Sequence, residues 1–238
     1  MSSQSTLLTL SQEFLTAVKR REDSTDYRNR LATTPERDLA TLTGNEDTAK
    51  AFWINLYNAF VQSELDRDPS LYDSKRSFFG DERFEVAGTR LSLDDIEHGI
   101  LRSSKWKYGL GYIPRLFPSE FERAYRLPTV DPRIHFALNC GAESCPAIAA
   151  YSGSGIDREL DLSTRSFLQQ SSKTDPSADE IIVSRLFLYY RGDFGGRRGI
   201  YEFLERFDVI DAEARPRVRY DSYDWALHRG NYRDERNG

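Results

Sequence analysis

The stretch NEDTAKAFWINLYNAFVQSEL, residues 45–65, decides how the rest of the chain must be arranged. Apolar side chains fall around most of its helical circumference, and Asn45 can cap the first turn with its side-chain oxygen. A helix that is apolar on nearly every side has to be covered by other elements. The sequence therefore predicts a central buried helix around which the remaining elements pack.

Polar amides interrupt this apolar helix on one face. Asn55 and Asn58 are three residues apart, and Gln62 follows one turn later. Buried amides need hydrogen-bond partners. Three interpretations are open: the amides bind the backbone of neighbouring loops, they orient a histidine, for which Asn58 is the candidate, or they bind a ligand.

Hydrophobic periodicity predicts further elements on both sides of this helix. Residues 1–20 form an amphipathic helix, Ser92 caps a helix over LDDIEHGILR, and an inner strand covers RIHFALN. The other predicted elements are a hairpin over RFEVAGTRLSL, a helix from DREL to FLQQ, a strand and helix over IIVSRLFLYYRGDF, a helix over IYEFLERFDVI and an edge strand in RVRYDSYDWAL. The expected fold class is α+β, with helices packed on a small, mostly antiparallel sheet.

Length and composition limit the class of protein. The 238 residues suit one core, which we divide into a helical extension (1–45), one α+β domain (46–228) and a polar tail (229–238). The net charge of −5 argues against nucleic acid as a partner. No stretch has the length of a membrane span, and the N-terminus does not resemble a signal peptide. We therefore expect a cytoplasmic protein whose two cysteines are free thiols.

Both cysteines lie in IHFALNCGAESCPAI, residues 134–148. Pro146 follows Cys145 directly, and proline favours the first position of a helix, so Cys145 would be the cap residue. A helix N-terminus stabilises a thiolate and makes it a nucleophile. The alternative is that both thiols are buried apolar groups, which strand alternation favours for Cys140 in particular.

Glu97 and His98 form the second candidate site. At 100° per residue, Glu97 falls between Leu93 and Leu101, inside the apolar face of its helix. A carboxylate in a core must be paired, hydrogen-bonded or protonated, and such groups cluster at functional sites. The alternative is a structural ion pair with an arginine.

His135 is a possible general base on the predicted strand, or a satisfied core residue, and His228 is a weaker candidate. The spacing of His135, Cys140 and Cys145 matches no usual zinc pattern, so we expect neither a metal nor a cofactor.

Taken together, the motifs FWINLYNA, LDDIEHGILR, IHFALNCGAESCP and YDWAL, with LFLYYRGDFGG between the last two, resemble the family called domain of unknown function 547 over roughly residues 50–228. The resemblance implies a shared fold and cleft but no settled activity. It also implies that Glu97, Arg102 and His135 hold the site or the fold together, because plant relatives keep these positions while often replacing the second cysteine. Many relatives have Asn where this chain has His228.

Three functions remain open. The first is a thiol-dependent hydrolase or acyltransferase, papain-like in its logic, acting on an amide or ester of a small molecule or peptide. Cys145 would attack, His98 or His135 would be the base, and Glu97 or Asn58 would orient the imidazole. The second is a non-catalytic binding or scaffold domain with a structural Glu-His-Arg cluster. The third is a metal or redox site through the thiols, and the sequence specifies no oligomeric state.

Overall fold

A long helix, α4 (Glu46–Arg67), runs through the centre of the molecule. Asn45 accepts a hydrogen bond from the Thr48 backbone N–H at 2.9 Å, which caps the helix as predicted. Nearly every side chain from Ala49 to Leu65 is buried, so the prediction of a central helix is confirmed. The computed structural model describes residues 3–175 and 177–233.

Three N-terminal helices precede α4, and the first of them packs along it. They are α1 (Ser3–Lys19), α2 (Thr25–Ala32) and α3 (Glu36–Leu39), and a 3₁₀ turn at Ala40–Gly44 leads into α4. The Phe14 ring of α1 meets the Phe60 ring of α4 edge-on, with centroids 5.5 Å apart. The helix expected in residues 1–20 is therefore present within its described part, and it shares the main hydrophobic core with α4.

The remaining helices are short except for two. In chain order they are a 3₁₀ turn at Pro69–Asp73, α5 (Lys75–Gly80), a π-helix at Asp95–Leu101, α6 (Glu120–Tyr125), a 3₁₀ turn at Pro132–Phe136, α7 (Ile156–Ser171), α8 (Leu186–Tyr189) and α9 (Gly196–Arg206).

Two small sheets complete an α+β fold, as expected. The hairpin of β1 (Phe84–Val86) and β2 (Thr89–Leu91) is antiparallel. The second sheet has the order β3 (Lys173–Asp175), β4 (Glu180–Val183), β5 (Arg217–Tyr220), in which β3–β4 is antiparallel and β4–β5 parallel.

The segment RIHFALN is not a strand. Asp131 accepts a hydrogen bond from the Arg133 backbone N–H at 3.1 Å and starts a 3₁₀ turn that continues to Phe136. Ile134 packs in the main core around α4, whereas Phe136 packs in a second cluster with Phe187 and Phe203. Since the segment is wedged between two cores, apolar residues on both of its sides are buried and alternation carries no information.

The chain after β5 returns to α4 and to the cysteine segment. The Gly230 N–H donates to the Gln62 side-chain oxygen at 2.9 Å, and the Ile148 N–H donates to the Asn231 carbonyl at 2.7 Å. Residues 229–233, part of the predicted polar tail, are thus hydrogen-bonded to the domain. Residues 1–2 and 234–238, which belong to the predicted extension and tail, lie outside the described residues. None of the helices within residues 3–175 and 177–233 is long and apolar enough to cross a bilayer.

Candidate functional site

A cleft of about 460 Å³ lies where α4, the π-helix, the 3₁₀ turn before Ala137 and the C-terminal segment meet. Its walls combine titratable groups with aromatic rings. The titratable groups include Glu97, His98, His135, Cys140, Tyr190 and Tyr223. Three of the predicted site residues, Glu97, His98 and His135, therefore line one cavity.

The π-helix positions Glu97 and His98. Ser92 and Asp95 cap its start reciprocally, with the Ser92 hydroxyl accepting from the Asp95 N–H at 3.1 Å. At its end the Arg102 N–H donates to the Glu97 carbonyl five residues back, at 2.8 Å. This wider turn replaces the α-helix that the wheel assumed, and it places both neighbouring polar side chains at the cleft. Both residues are buried, Glu97 at 9% exposure and His98 at 7%.

Glu97 anchors two tyrosines. Its carboxylate accepts hydrogen bonds from the Tyr190 hydroxyl at 2.7 Å and from the Tyr57 hydroxyl at 3.1 Å. Burial alone would raise the pKa of Glu97. The charge of His98 in its protonated form, the charge of Arg102 and the Tyr190 hydrogen bond outweigh burial and hold the pKa below its usual value. Glu97 is therefore a buried carboxylate that orders two phenols at the cleft.

Arg102 fixes the state of His98. Its Nη1 lies 2.8 Å from His98 Nδ1, and since a guanidinium can only donate, Nδ1 must carry a lone pair. The proton then sits on Nε2, which faces Asp94 Oδ1 at 3.5 Å. Burial lowers the pKa of His98 and the Arg102 charge lowers it further, although Glu97 opposes both. His98 is thus a neutral imidazole whose basic nitrogen is already occupied.

His135 is held by Asp193 instead. Its Nε2 lies 2.9 Å from Asp193 Oδ2, and the same oxygen accepts from Arg102 Nε at 2.6 Å. Burial would raise the pKa of Asp193, but hydrogen bonds from His135 and Arg102 keep it low, so the carboxylate is charged and His135 Nε2 donates. Burial lowers the pKa of His135 despite Asp193, which leaves Nδ1 as the lone-pair nitrogen. The ring stacks on Tyr190 with centroids 3.7 Å apart.

The two thiols are direct neighbours. Cys140 Sγ and Cys145 Sγ are 2.8 Å apart, and the Cys140 backbone N–H donates to Cys145 Sγ at 3.1 Å. The Tyr223 hydroxyl lies 3.5 Å from the first sulfur and 3.4 Å from the second. The cysteines must therefore be treated as a pair, contrary to the interpretation that Cys145 acts alone.

The thiol pair is electrostatically asymmetric. Burial raises the pKa of Cys145, but hydrogen bonds from the Cys140 thiol, the Tyr223 hydroxyl and backbone N–H groups outweigh it and lower the pKa. The hydrogen bond to Cys145 and burial raise the pKa of Cys140 well above its usual value. When the pair loses one proton, the charge rests on Cys145.

The predicted helix cap at Cys145 is wrong. No helix begins at Pro146; the chain runs in extended form to a bridge between Ile148 and Tyr232, and the next helix starts at Ile156. The thiolate is stabilised by local donors rather than by a helix dipole. Cys145 borders a second, more polar cavity together with Pro146 and His228, whereas Cys140 is the thiol that lines the cleft.

The predicted contact between histidine and Cys145 is not formed as a hydrogen bond. Among the described residues the sulfur partners are the other thiol, the Tyr223 hydroxyl and backbone N–H groups. His135 nevertheless shares the cleft with Cys140. His228 lies outside the cleft, with its Nδ1 3.0 Å from Glu143.

Asn58 binds backbone rather than an imidazole. Its side chain donates to the Ala137 carbonyl and accepts from the Asn139 N–H, each at 2.9 Å. It therefore clamps the segment that carries His135 and Cys140, and acts on the site only through that segment.

The sequence did not identify Asp193, which is the partner of Arg102, and it did not identify the tyrosines of the cleft. A signal for Asp193 was present in RGDFGG, where glycines flank an acidic residue. Gly192 shows why a small residue is needed beside Asp193: a Cβ on it would lie 2.5 Å from the carbonyl carbon of Gly111. Tyr57 lies on the same helix as the predicted amides, among apolar residues, and its sequence context is that of a core aromatic. It is indeed fully buried.

The comparisons with known proteins identify the family but no activity. The family model described as "Protein of unknown function, DUF547" matches residues 40–168, more than half of the chain. The chain belongs to this family, as the motifs indicated. Searches of curated proteins and of solved structures found no match. Among residues 3–175 and 177–233 there is no group of three His, Cys, Asp or Glu side chains arranged to hold a metal ion.

Proposed function

We propose that the protein is a thiol-dependent hydrolase or acyltransferase in which Cys140, rather than Cys145, attacks the substrate. The observation that carries this proposal is that Cys140 lines the same cleft as His135 while its sulfur lies 2.8 Å from Cys145. A thiol becomes a nucleophile when a neighbouring base takes its proton. Here the base is the Cys145 thiolate, whose pKa is lowered.

The acylation step follows from this arrangement. As Cys140 Sγ bonds to the carbonyl carbon of an ester or amide, its proton moves to Cys145. The tetrahedral intermediate then collapses and expels the alcohol or amine, which takes the proton from the Cys145 thiol. Cys140 is left as a thioester and Cys145 as a thiolate.

Deacylation assigns the second base. His135 holds its Nε2 proton against Asp193, so Nδ1 can take a proton from water as the oxygen bonds to the thioester carbon. Cys140 leaves as a thiolate and regains the proton from His135. An alcohol or amine in place of water gives acyl transfer.

The walls of the cleft suggest the substrate class. Phe79, Leu110, Leu138 and Trp225 present apolar surface. Lys75 and Arg76 also border the cleft, and Lys75 donates to the Tyr72 carbonyl at 2.5 Å rather than to a carboxylate. These walls favour an apolar acyl group in a substrate that carries a negative charge.

Acylation of the full-length chain with p-nitrophenyl acetate tests the proposal. Mass spectrometry should place the acetyl group on Cys140, and Cys140→Ser should remove it. His135→Gln should let the adduct accumulate, while the matched variant His228→Gln, outside the cleft, should turn over normally. Acetylation confined to Cys145 would refute Cys140 as the nucleophile, and acetylation confined to lysines would favour a non-catalytic module.

Alkylation measures the activation itself. We expect iodoacetamide to modify the native protein at Cys140, with half-maximal rate at a pH below 9, because Cys145 carries the first charge of the pair. In Cys145→Ser this base is gone and burial still raises the pKa of Cys140, so the thiol must lose its proton to water and the alkylation rate at pH 7 should fall. Equal rates in both proteins would contradict the role of Cys145.

A thiol–disulfide oxidoreductase is the second candidate, favoured by the 2.8 Å separation of the sulfurs. Cys140 would attack a substrate disulfide and release one thiolate; Cys145 would then attack Cys140, release the second thiolate and leave an internal disulfide. With oxidised glutathione as substrate, Cys145→Ser should stop at the mixed disulfide. Failure of the native chain to oxidise under these conditions removes this candidate and leaves acyl transfer untouched.

A further inference from the structure

An exposed aromatic loop, residues 105–117 (KWKYGLGYIPRLF), stands apart from the rest of the surface. Seven of the ten large apolar side chains that are exposed in the described chain belong to it. They are Trp106, Tyr108, Leu110, Tyr112, Ile113, Leu116 and Phe117. Such a concentration of apolar surface marks an interaction site.

The loop is held in shape by its own backbone. The Trp106 N–H donates to the Ile113 carbonyl at 2.9 Å, and the Arg115 N–H donates to the Ser104 carbonyl at 2.7 Å. The Gly192 N–H donates to the Leu110 carbonyl at 2.7 Å, which ties the loop to the segment carrying Asp193. The apolar side chains are therefore exposed on a preformed turn.

Exposure is graded along the loop. Leu116 and Phe117 protrude most, at 81% and 91%, while Trp106 and Tyr112 are about half exposed. Tyr108 is intermediate at 67%, so the two groups that protrude most are an aliphatic and a phenyl side chain, the kinds that enter the acyl region of a bilayer while amphipathic rings stay at the headgroups.

Cations surround this surface in a chain whose net charge is −5. Residues 105–126 contain five basic and two acidic side chains. Lys107 and Arg115 are paired with carboxylates, but Lys105, Arg123 and Arg126 have no carboxylate partner among the described residues. The unpaired charges complement anionic lipid headgroups.

We propose that the aromatic loop docks the protein peripherally on an anionic lipid bilayer. The loop contributes Lys107, Tyr108 and Leu110 to the cleft wall, so docking places the cleft mouth at the lipid surface. The proposal rests on the surface alone and stands whether or not the cleft is catalytic.

Co-sedimentation of the full chain with vesicles tests this docking. We expect binding to phosphatidylcholine vesicles containing one-fifth phosphatidylserine, weakened several-fold in high salt. The double variant Leu116→Ser/Phe117→Ser should bind at least about ten-fold more weakly, since two exposed anchors are removed. The control Leu162→Ser removes a leucine that is exposed elsewhere, at 45%, and should bind like the native chain.

Absence of binding to the anionic vesicles, or equal binding of the double variant, would overturn the proposal. Concentration-dependent dimerisation that the double variant abolishes would overturn it in favour of a second copy of the chain. Increased blue-shifted tryptophan emission on vesicle addition, lost in Trp106→Leu, would support it independently.

Discussion

Two sets of buried polar side chains lie near Tyr57, and they differ in the partners that they bind. The amides of α4 end on backbone: Asn55 exchanges two hydrogen bonds with Tyr151, and Asn58 clamps Ala137 and Asn139. The Arg102 network, formed by Arg102, Asp193, His135, His98 and Glu97, joins charged and titratable side chains to one another beside a cavity.

The difference in partners distinguishes side chains that hold chain segments in place from side chains that bind one another beside the cleft. Asn55 and Asn58 are fully buried, do not line the cleft and each bind two backbone groups, so they fix the position of chain segments. The network, by contrast, holds two imidazoles in defined tautomers, and His135, whose Nδ1 keeps its lone pair, lines the cleft. Burial is common to both sets, and the nature of the partner distinguishes them.

Removing the centre of the network should have the largest effect on stability. Arg102 is fully buried, so Arg102→Met leaves the buried Asp193 carboxylate without its cation. We expect a loss of about 3–5 kcal/mol in the free energy of unfolding. Urea denaturation measures it, and Arg102→Met/Asp193→Asn should recover part of the loss. A change close to zero would show that Asp193 is not charged.

Removing an amide should have a smaller effect and should leave the thiols unchanged. Asn55→Ala deprives the Tyr151 N–H of its partner and the Tyr151 carbonyl of one of its two donors, the other being Gln12. We expect a loss of about 1–3 kcal/mol in urea denaturation. The pH dependence of Cys140 alkylation should stay that of the native chain, whereas Asn58→Ala should alter it because Asn58 holds the Ala137–Asn139 segment. An altered profile in Asn55→Ala would erase the distinction between the two sets.

The smallest expected effect is a loss of stability in acid, which should depend on the histidines of the network and not on the amides of α4. The pKa of both His98 and His135 is lowered in the folded protein, so the unfolded chain binds more protons once the pH falls below the ordinary value of 6.5. Stability should therefore decline from pH 7 to pH 5. Asp131, whose pKa is about 2, stays charged throughout this range and contributes nothing to the decline.

Thermal denaturation at the two pH values measures this effect. His135→Gln should reduce the decline, since one of the two titrating imidazoles is gone, whereas His228→Gln should not. An unchanged slope in His135→Gln would mean that His135 is not held neutral by its burial.

Local patterns predicted the framework of the fold and missed the elements that depend on distant contacts. The Asn45 cap, the buried circumference of α4 and the Ser92 cap are properties of short segments, and all are present. Period-two alternation around His135 predicts a strand. The prediction is wrong because this turn is covered by two cores, which bury apolar residues on both of its sides. Glu97 is buried as the helical wheel predicted, but it lies in a π-helix, which no sequence pattern predicted.

The site was predictable by residue type and not by pairing. Glu97, His98 and His135 were identified because polar groups stood out among apolar neighbours. Asp193 lies 58 residues from His135 and 91 from Arg102, so no local spacing could connect them. The pairing of the thiols depends on a tight turn at Gly141, whose φ of +85° lies in the left-handed region.

The return of the C-terminal segment has a kinetic consequence. Tyr223 reaches the thiols across 78 residues, and Gly230 reaches Gln62 across 168. Contacts of such sequence separation form late in folding, because the chain entropy of a long loop must be lost first. The helices of the N-terminal half can assemble while both sulfurs are still open to solvent. An oxidant that reaches the chain during this interval would meet an unshielded dithiol, so we expect both thiols to be oxidised faster during folding than in the folded protein.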